Sequence, residues 1–145
     1  MVVSFFGHKN TPSTVKPLLK QTVQQLIKEN EDITFLVGTH GAFDQMTQSV
    51  LKEASERYPG ITCYIVLSYL PVDNSEQYEL PTLYPEGIEY APKRFAISFG
   101  NNYMVKECDT VVCYIDHDWG GAAQFVEKAK KKGKAIINLA QNKNG

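Results

Sequence analysis

Five short apolar runs punctuate the chain: Val2 to Phe6, Ile33 to Val37, Thr62 to Leu67, Thr110 to Ile115 and Ala135 to Leu139. Each is rich in β-branched or aromatic residues and nearly continuous in apolarity, the pattern of a strand buried on both faces. The segments between them repeat at helical spacing instead. Ser13 to Asn30 puts Val15, Leu18, Leu19, Val23, Leu26 and Ile27 on one face, with Ser13 or Thr14 as an N-cap. Ala42 to Tyr58 does the same through Phe43, Met46, Val50, Leu51 and Ala54, and Pro59-Gly60 ends it. Lys93 to Cys108 reads as a third helix with a break at Gly100, and Trp119 to Lys132 as a fourth, its last turn rich in lysine and followed by Gly133. Alternation of this kind predicts an α/β fold: a five-stranded, mainly parallel sheet in a three-layer, Rossmann-like arrangement.

One stretch breaks the rhythm. Ser68 to Ala91 holds Pro71, Pro81 and Pro85 together with Tyr69, Tyr78, Tyr84 and Tyr90, and reads as a long irregular loop of the functional or mobile kind. The tail Asn142 to Gly145 is expected to fray.

Composition narrows the function. At 145 residues the chain is expected to form a single domain spanning 1–145. The charges nearly cancel, with 15 Lys+Arg against 16 Asp+Glu, which argues against a duplex-coating protein and makes nucleic acid an unexpected partner. Lys128, Lys130, Lys131, Lys132 and Lys134 read as a solvated helix end. No apolar run reaches the 18 or so residues of a membrane span, and Met1 to Gly7 is too short for a secretory signal. Cys63, Cys108 and Cys113 show no ligand spacing and read as reduced thiols, two of them inside apolar runs. A cytoplasmic protein with no membrane partner is expected.

Candidate chemistry gathers at three strand ends. These are Gly7 to Pro12, Gly38 to Asp44 and Asp116 to Ala123, each running into a helix. In an open α/β sheet the ligand crevice lies at that edge, where glycine turns and helix N-termini offer backbone N–H groups to phosphate or carboxylate. Neither a Walker A lysine motif nor G-x-G-x-x-G is present, so ATPase and dinucleotide-dehydrogenase readings lack their signatures. His8, His40 and His117 share these loops, but none is four residues from another, and no metal is expected. His8 is read as a hydrogen-bonding or phosphate contact. Asp44 is either a helix cap or a ribose ligand, Asp116 and Asp118 are caps or acid/base candidates, and Trp119 stacks on a base or wedges the last helix.

The motifs F-F-G-H-K (Phe5 to Lys9), G-T-H-G-A-F-D (Gly38 to Asp44), Y-P-E-G (Tyr84 to Gly87), P-K-R-F-A-I-S-x-x-N-x-x-M (Pro92 to Met104), D-x-V-V-C-Y (Asp109 to Tyr114) and W-G-G-A-A (Trp119 to Ala123) resemble the SLOG superfamily. Within it the chain is most similar to the small DUF1273-like proteins of Firmicutes and their phages. The resemblance covers Val2 to Leu139 and implies a Rossmann-like nucleotide-binding domain related to DprA and to the LOG phosphoribohydrolases.

It places a nucleotide-derived ligand over Gly7, His8, Gly38, Thr39, His40, Gly41, Gly120 and Gly121, and the reading of the residues themselves adds Asp44, Trp119 and Ala122 to the ligand set. Arg94, Ser98 and Asn101 or Asn102 line the other side. No cofactor is implied. A homo-oligomer is expected, in the bacterial cytoplasm or the host's for a phage-encoded copy. LOG enzymes carry P-G-G-x-G-T-x-x-E, whose glutamate assists N-glycosidic cleavage, where this chain has W-G-G-A-A-Q-F-V-E. Counted from the paired glycines, Val126 falls opposite that glutamate and Glu127 one residue late, which leaves the catalytic acid missing. The leading expectation is therefore binding, by sensing or sequestration, of a nucleotide-derived signal. The alternative is a LOG-like nucleotide hydrolase using Asp44, Glu86 or Asp116.

Overall fold

The computed structural model describes residues 1–68 and 78–140. Six strands form one sheet: β1 (Val2–Gly7), β2 (Thr34–Val37), β3 (Thr62–Val66), β4 (Thr82–Leu83), β5 (Thr110–Tyr114) and β6 (Ala135–Asn138). Their order is β4-β3-β2-β1-β5-β6, and every pairing is parallel. Five of the strands are those expected from the apolar runs. The sixth corrects the expected five: Thr82–Leu83 lies inside the stretch read as irregular and extends the sheet beside β3, where Ile65 N–H donates to Pro81 O and Leu67 N–H to Leu83 O. Tyr69 and Pro71 of that stretch, and the tail from Gln141, lie outside the described residues.

Side chains alternate across the sheet. Val3 and Phe5 of β1, Phe35 and Val37 of β2 and Val112 and Tyr114 of β5 point into one core with α1 (Lys16–Glu29) and α2 (Ala42–Arg57). Phe6, Leu36, Val111 and Cys113 point into the other, under α3 (Ala96–Glu107) and α4 (Gly121–Lys131). The three cysteines are buried and free. Burial pushes the Cys63 thiol up to about 11 and Cys113 to about 12, so neither offers a thiolate at neutral pH.

Helix starts differ from expectation in informative ways. A 3₁₀ turn, Ser13–Val15, precedes α1, and neither Ser13 nor Thr14 caps it through its side chain; Pro17, in the first turn of α1, sets the entry instead. The segment Lys93–Phe95 is likewise 3₁₀, and α3 runs unbroken through Gly100. A Cβ at Gly100 would stand 3.2 Å from Ser68 Oγ, so this glycine lets α3 lie close to the end of β3 rather than breaking the helix. Among the described residues no helix is long and apolar enough to cross a membrane.

Candidate functional site

β1 and β5 end side by side, Gly7 opposite Tyr114, and the ladder continues one rung further as His8 N–H donates to Tyr114 O at 3.3 Å. From β1 the chain moves through α1 to β2 on one side, while β5 and β6 occupy the other. This is the point where the order reverses and where a crevice opens in sheets of this kind. A cleft of about 490 Å³ lies there, within the range of small-ligand sites. It is walled by the ends of β1 and β2, by Ile97 and Asn101 of α3, and by His117 and Trp119 to Ala122.

The structure brings together Gly7, His8, Gly38, His40, Asp44, Asn101, Trp119, Gly120, Gly121 and Ala122 of the expected ligand set. Thr39, Gly41, Arg94 and Ser98 do not line the cleft. Arg94 is exposed, its guanidinium 4.8 Å from the centre of the Phe95 ring. Glu86 is an exposed turn residue, also away from the cleft. Of the two asparagines, Asn101 lines the cleft, whereas Asn102 accepts a hydrogen bond from Lys128 Nζ. Lys9, Asn10 and Ile97 also line the cleft; each lies within a segment singled out in the sequence but was not itself named as a ligand residue.

The glycines that looked alike in sequence have different work. A Cβ at Gly7 would lie 2.2 Å from Phe43 Cγ, so this glycine admits the buried Phe43 ring against β1. At Gly38 the same atom would meet Asp44 Oδ2 at 2.9 Å. At Gly41 it would strike the Lys9 backbone at 2.5 Å, and Lys9 O already accepts the Ala42 N–H. The first N–H of α2 is thereby taken by the protein itself. Gly120 and Gly121 are the contrast. Gly120 adopts φ +98°, Gly121 opens α4, and a Cβ at either would meet nothing within 4 Å. No side chain caps α4 and its first turn has no acid, so its leading N–H groups face the cleft with their partial positive charge uncompensated.

Asp44 is the carboxylate in the cleft wall. It is 9% exposed and its Oδ2 accepts the His40 N–H at 2.9 Å. Burial outweighs that bond and raises its pKa to about 7. Burial also holds His40 below the usual histidine value. His8 is lowered too, by burial first and then by His117, with Asp116 opposing.

His8, His117 and Trp119 form a stack. The two imidazoles lie 3.5 Å apart at 12°, and His117 lies 3.8 Å from the Trp119 ring at 19°. Their partners fix both tautomers. Asp116 N–H donates to His8 Nε2 at 3.2 Å, and His117 Nδ1 donates to Trp119 O at 3.0 Å, so each ring carries its proton on Nδ1. The loop is pinned at its root by Asn138, whose amide pairs with both the N–H and the C=O of Ile115. His8, Asp116 and His117 offer ligand atoms within 4.8 Å of one another. An imidazole ligates in its own ring plane, and two rings lying face to face cannot both aim lone pairs at one ion, so this donor set does not fit a chelate.

Against the LOG motif, the ninth residue of W-G-G-A-A-Q-F-V-E is Glu127. The register that puts Val126 there is corrected. The carboxylate is nevertheless absent from the cleft, because Glu127 is exposed on α4 and lines a separate depression beside β6 together with Asp118 and Lys131.

No family model and no curated protein matches the sequence. Among solved structures, DNA processing protein A (DprA) from Streptococcus pneumoniae superposes with a TM-score of 0.63 at 15% identity. The fold is similar to that of DprA. The match covers 92% of this chain and 48% of DprA, so the chain spans about half the length of that protein.

Proposed function

We propose that the chain is a SLOG-superfamily module that binds a nucleotide-derived ligand in the cleft between the ends of β1 and β5. The observation that carries this reading is the open N-terminus of α4, uncapped and free of acids, facing a cleft at the reversal point of a parallel sheet. The DprA-like fold supports it. So do the family motifs that extend from Val2 to Leu139, which favour the DUF1273-like branch of Firmicutes and their phages. Attraction for phosphate comes from backbone N–H groups, in keeping with a net charge of −1.

A second reading, hydrolysis of the ligand, is favoured by one observation: Asp44 lines the cleft with a pKa of about 7, where a carboxyl can act as an acid or a base at neutral pH. Binding is preferred because Glu127 and Glu86 lie outside the cleft. The two separate in one experiment. Nucleoside monophosphates, NAD and ADP-ribose are incubated with the protein, base release is followed by chromatography, and thermal stabilisation is read in parallel. Stabilisation without turnover is expected. Turnover that disappears in Asp44→Asn would establish the hydrolase instead. In Gly121→Asp, which has room for the side chain, stabilisation by phosphate-bearing ligands should vanish with the circular-dichroism spectrum unchanged; a retained response refutes the anion seat.

A further inference from the structure

Trp119 is the chain's one tryptophan, and it is 69% exposed. Exposure alone does not single it out, since Tyr90 is 85% exposed. The setting of Trp119 is nevertheless ordered. One face rests on His117, which rests on His8, and His8 is 9% exposed with its Nε2 tied to the Asp116 N–H. The His117 Nδ1 proton is bonded to Trp119's own carbonyl. Three rings thus rise from the cleft floor as one stack. Its outermost member has no further aromatic partner among the described residues. A ring held in place before the ligand arrives loses little freedom on binding.

The residues directly after Trp119 are Gly120 and Gly121, the start of the open N-terminus of α4. Consecutive residues therefore present a planar stacking face and a set of anion-binding N–H groups, and both line the same cleft. A nucleoside phosphate joins a flat ring to an anion through a single ribose, whereas a sugar phosphate brings only the anion. Ile97 adds apolar surface to that cleft from α3. We infer that Trp119 is the base-stacking platform of the site and that the ligand is a nucleoside phosphate held by its base as well as its phosphate, an inference that rests on the anion-seat reading above. Stacking on an aromatic face tolerates any base, so the platform selects for the presence of a base and not for its hydrogen-bonding edge.

The test uses AMP and ribose 5-phosphate as probes. Indole fluorescence reports Trp119 alone, and thermal shift reports binding of either probe. AMP should quench the indole and bind at least about tenfold more tightly than ribose 5-phosphate, which should bind without quenching. Trp119→Ala should bring AMP to the level of ribose 5-phosphate while leaving the latter unchanged, which also shows that the variant is folded. Trp119→Phe should keep most of the advantage of AMP. Equal affinity of the two probes for the unaltered protein, or an AMP advantage that survives Trp119→Ala, overturns the platform and leaves the anion seat standing. If neither probe binds, the anion seat itself falls, and the platform with it.

Discussion

Asp44 Oδ2 accepts the backbone N–H of His40 at 2.9 Å, so the carboxyl that starts α2 folds back over its own helix entrance instead of facing water. Gly38 leaves just enough room for it. The cost of this placement is visible in its titration, because burial lifts the pKa from 3.8 to about 7.

A raised carboxyl pKa means that the folded protein holds a proton the unfolded chain has already released. Between about pH 4 and pH 7 the native state binds more protons, so stability falls as pH rises through that window and levels off above it. The full effect is up to about 4 kcal/mol, taking roughly three pKa units at 1.36 kcal/mol each. Asp44→Asn retains an oxygen for the His40 N–H and removes the titration. Its urea midpoint should exceed that of the unaltered protein at pH 7.5, and the two should converge near pH 4. A phosphate ligand should also lose affinity above pH 7, where Asp44 becomes an anion in the same cleft, and Asp44→Asn should abolish that loss.

His8 has the opposite sign. Its pKa lies below 6.5 in the folded protein, chiefly through burial, so the unfolded chain takes up the proton first. The stability it contributes is complete above pH 6.5 and is lost as pH falls through the folded value. Protonation also ends the Asp116 N–H bond to Nε2. With Asp44→Asn as background, which removes the competing trend, the urea midpoint should drop between pH 7 and pH 5. His8→Gln, which keeps an acceptor, should reduce that drop and leave the part contributed by His40, whose pKa burial also lowers. The amide resonance of Asp116 should shift along the same titration curve.

Gly7→Ala should destabilise without any ligand being involved. Its Cβ would stand 2.2 Å from the Phe43 ring, and both groups are enclosed by β1 and α2, so a backbone or ring must move. Overpacking of this kind costs about 1–3 kcal/mol. Urea unfolding measures it, and pairing the change with Phe43→Leu should recover part of the loss. An unchanged midpoint would mean that Gly7 is not a packing position.

β1, β2, β3 and β5 were legible because burial within the sheet forces a nearly continuous apolar run, whereas β6, at the edge and only partly buried, was legible from its short Ala-Ile-Ile run alone. β4 was not, since Thr82–Leu83 owes its state to backbone pairing with β3 and carries no pattern of its own. The edge of the sheet that bears the cleft was legible from the glycine turns after β1, β2 and β5. What each glycine does there was not. Gly41 and Gly120 both sit at positive φ before a helix, yet one is covered by Lys9 and the other is open, a difference set by a residue 32 positions away. The histidines illustrate the same limit. Sequence spacing separates His8 from His117 by more than a hundred residues, and the parallel pairing of β1 with β5 makes them nearest neighbours.

That pairing has a bearing on how the protein is made. The cleft joins the first strand of the chain to a loop that follows the fifth, so half of its wall is synthesised about a hundred residues after the other half. Long-range closure of this kind is slow, and the site cannot pre-form on a nascent chain that lacks β5. A ligand held there bridges the two ends of the fold, and by mass action it draws the late strand into register with the early one.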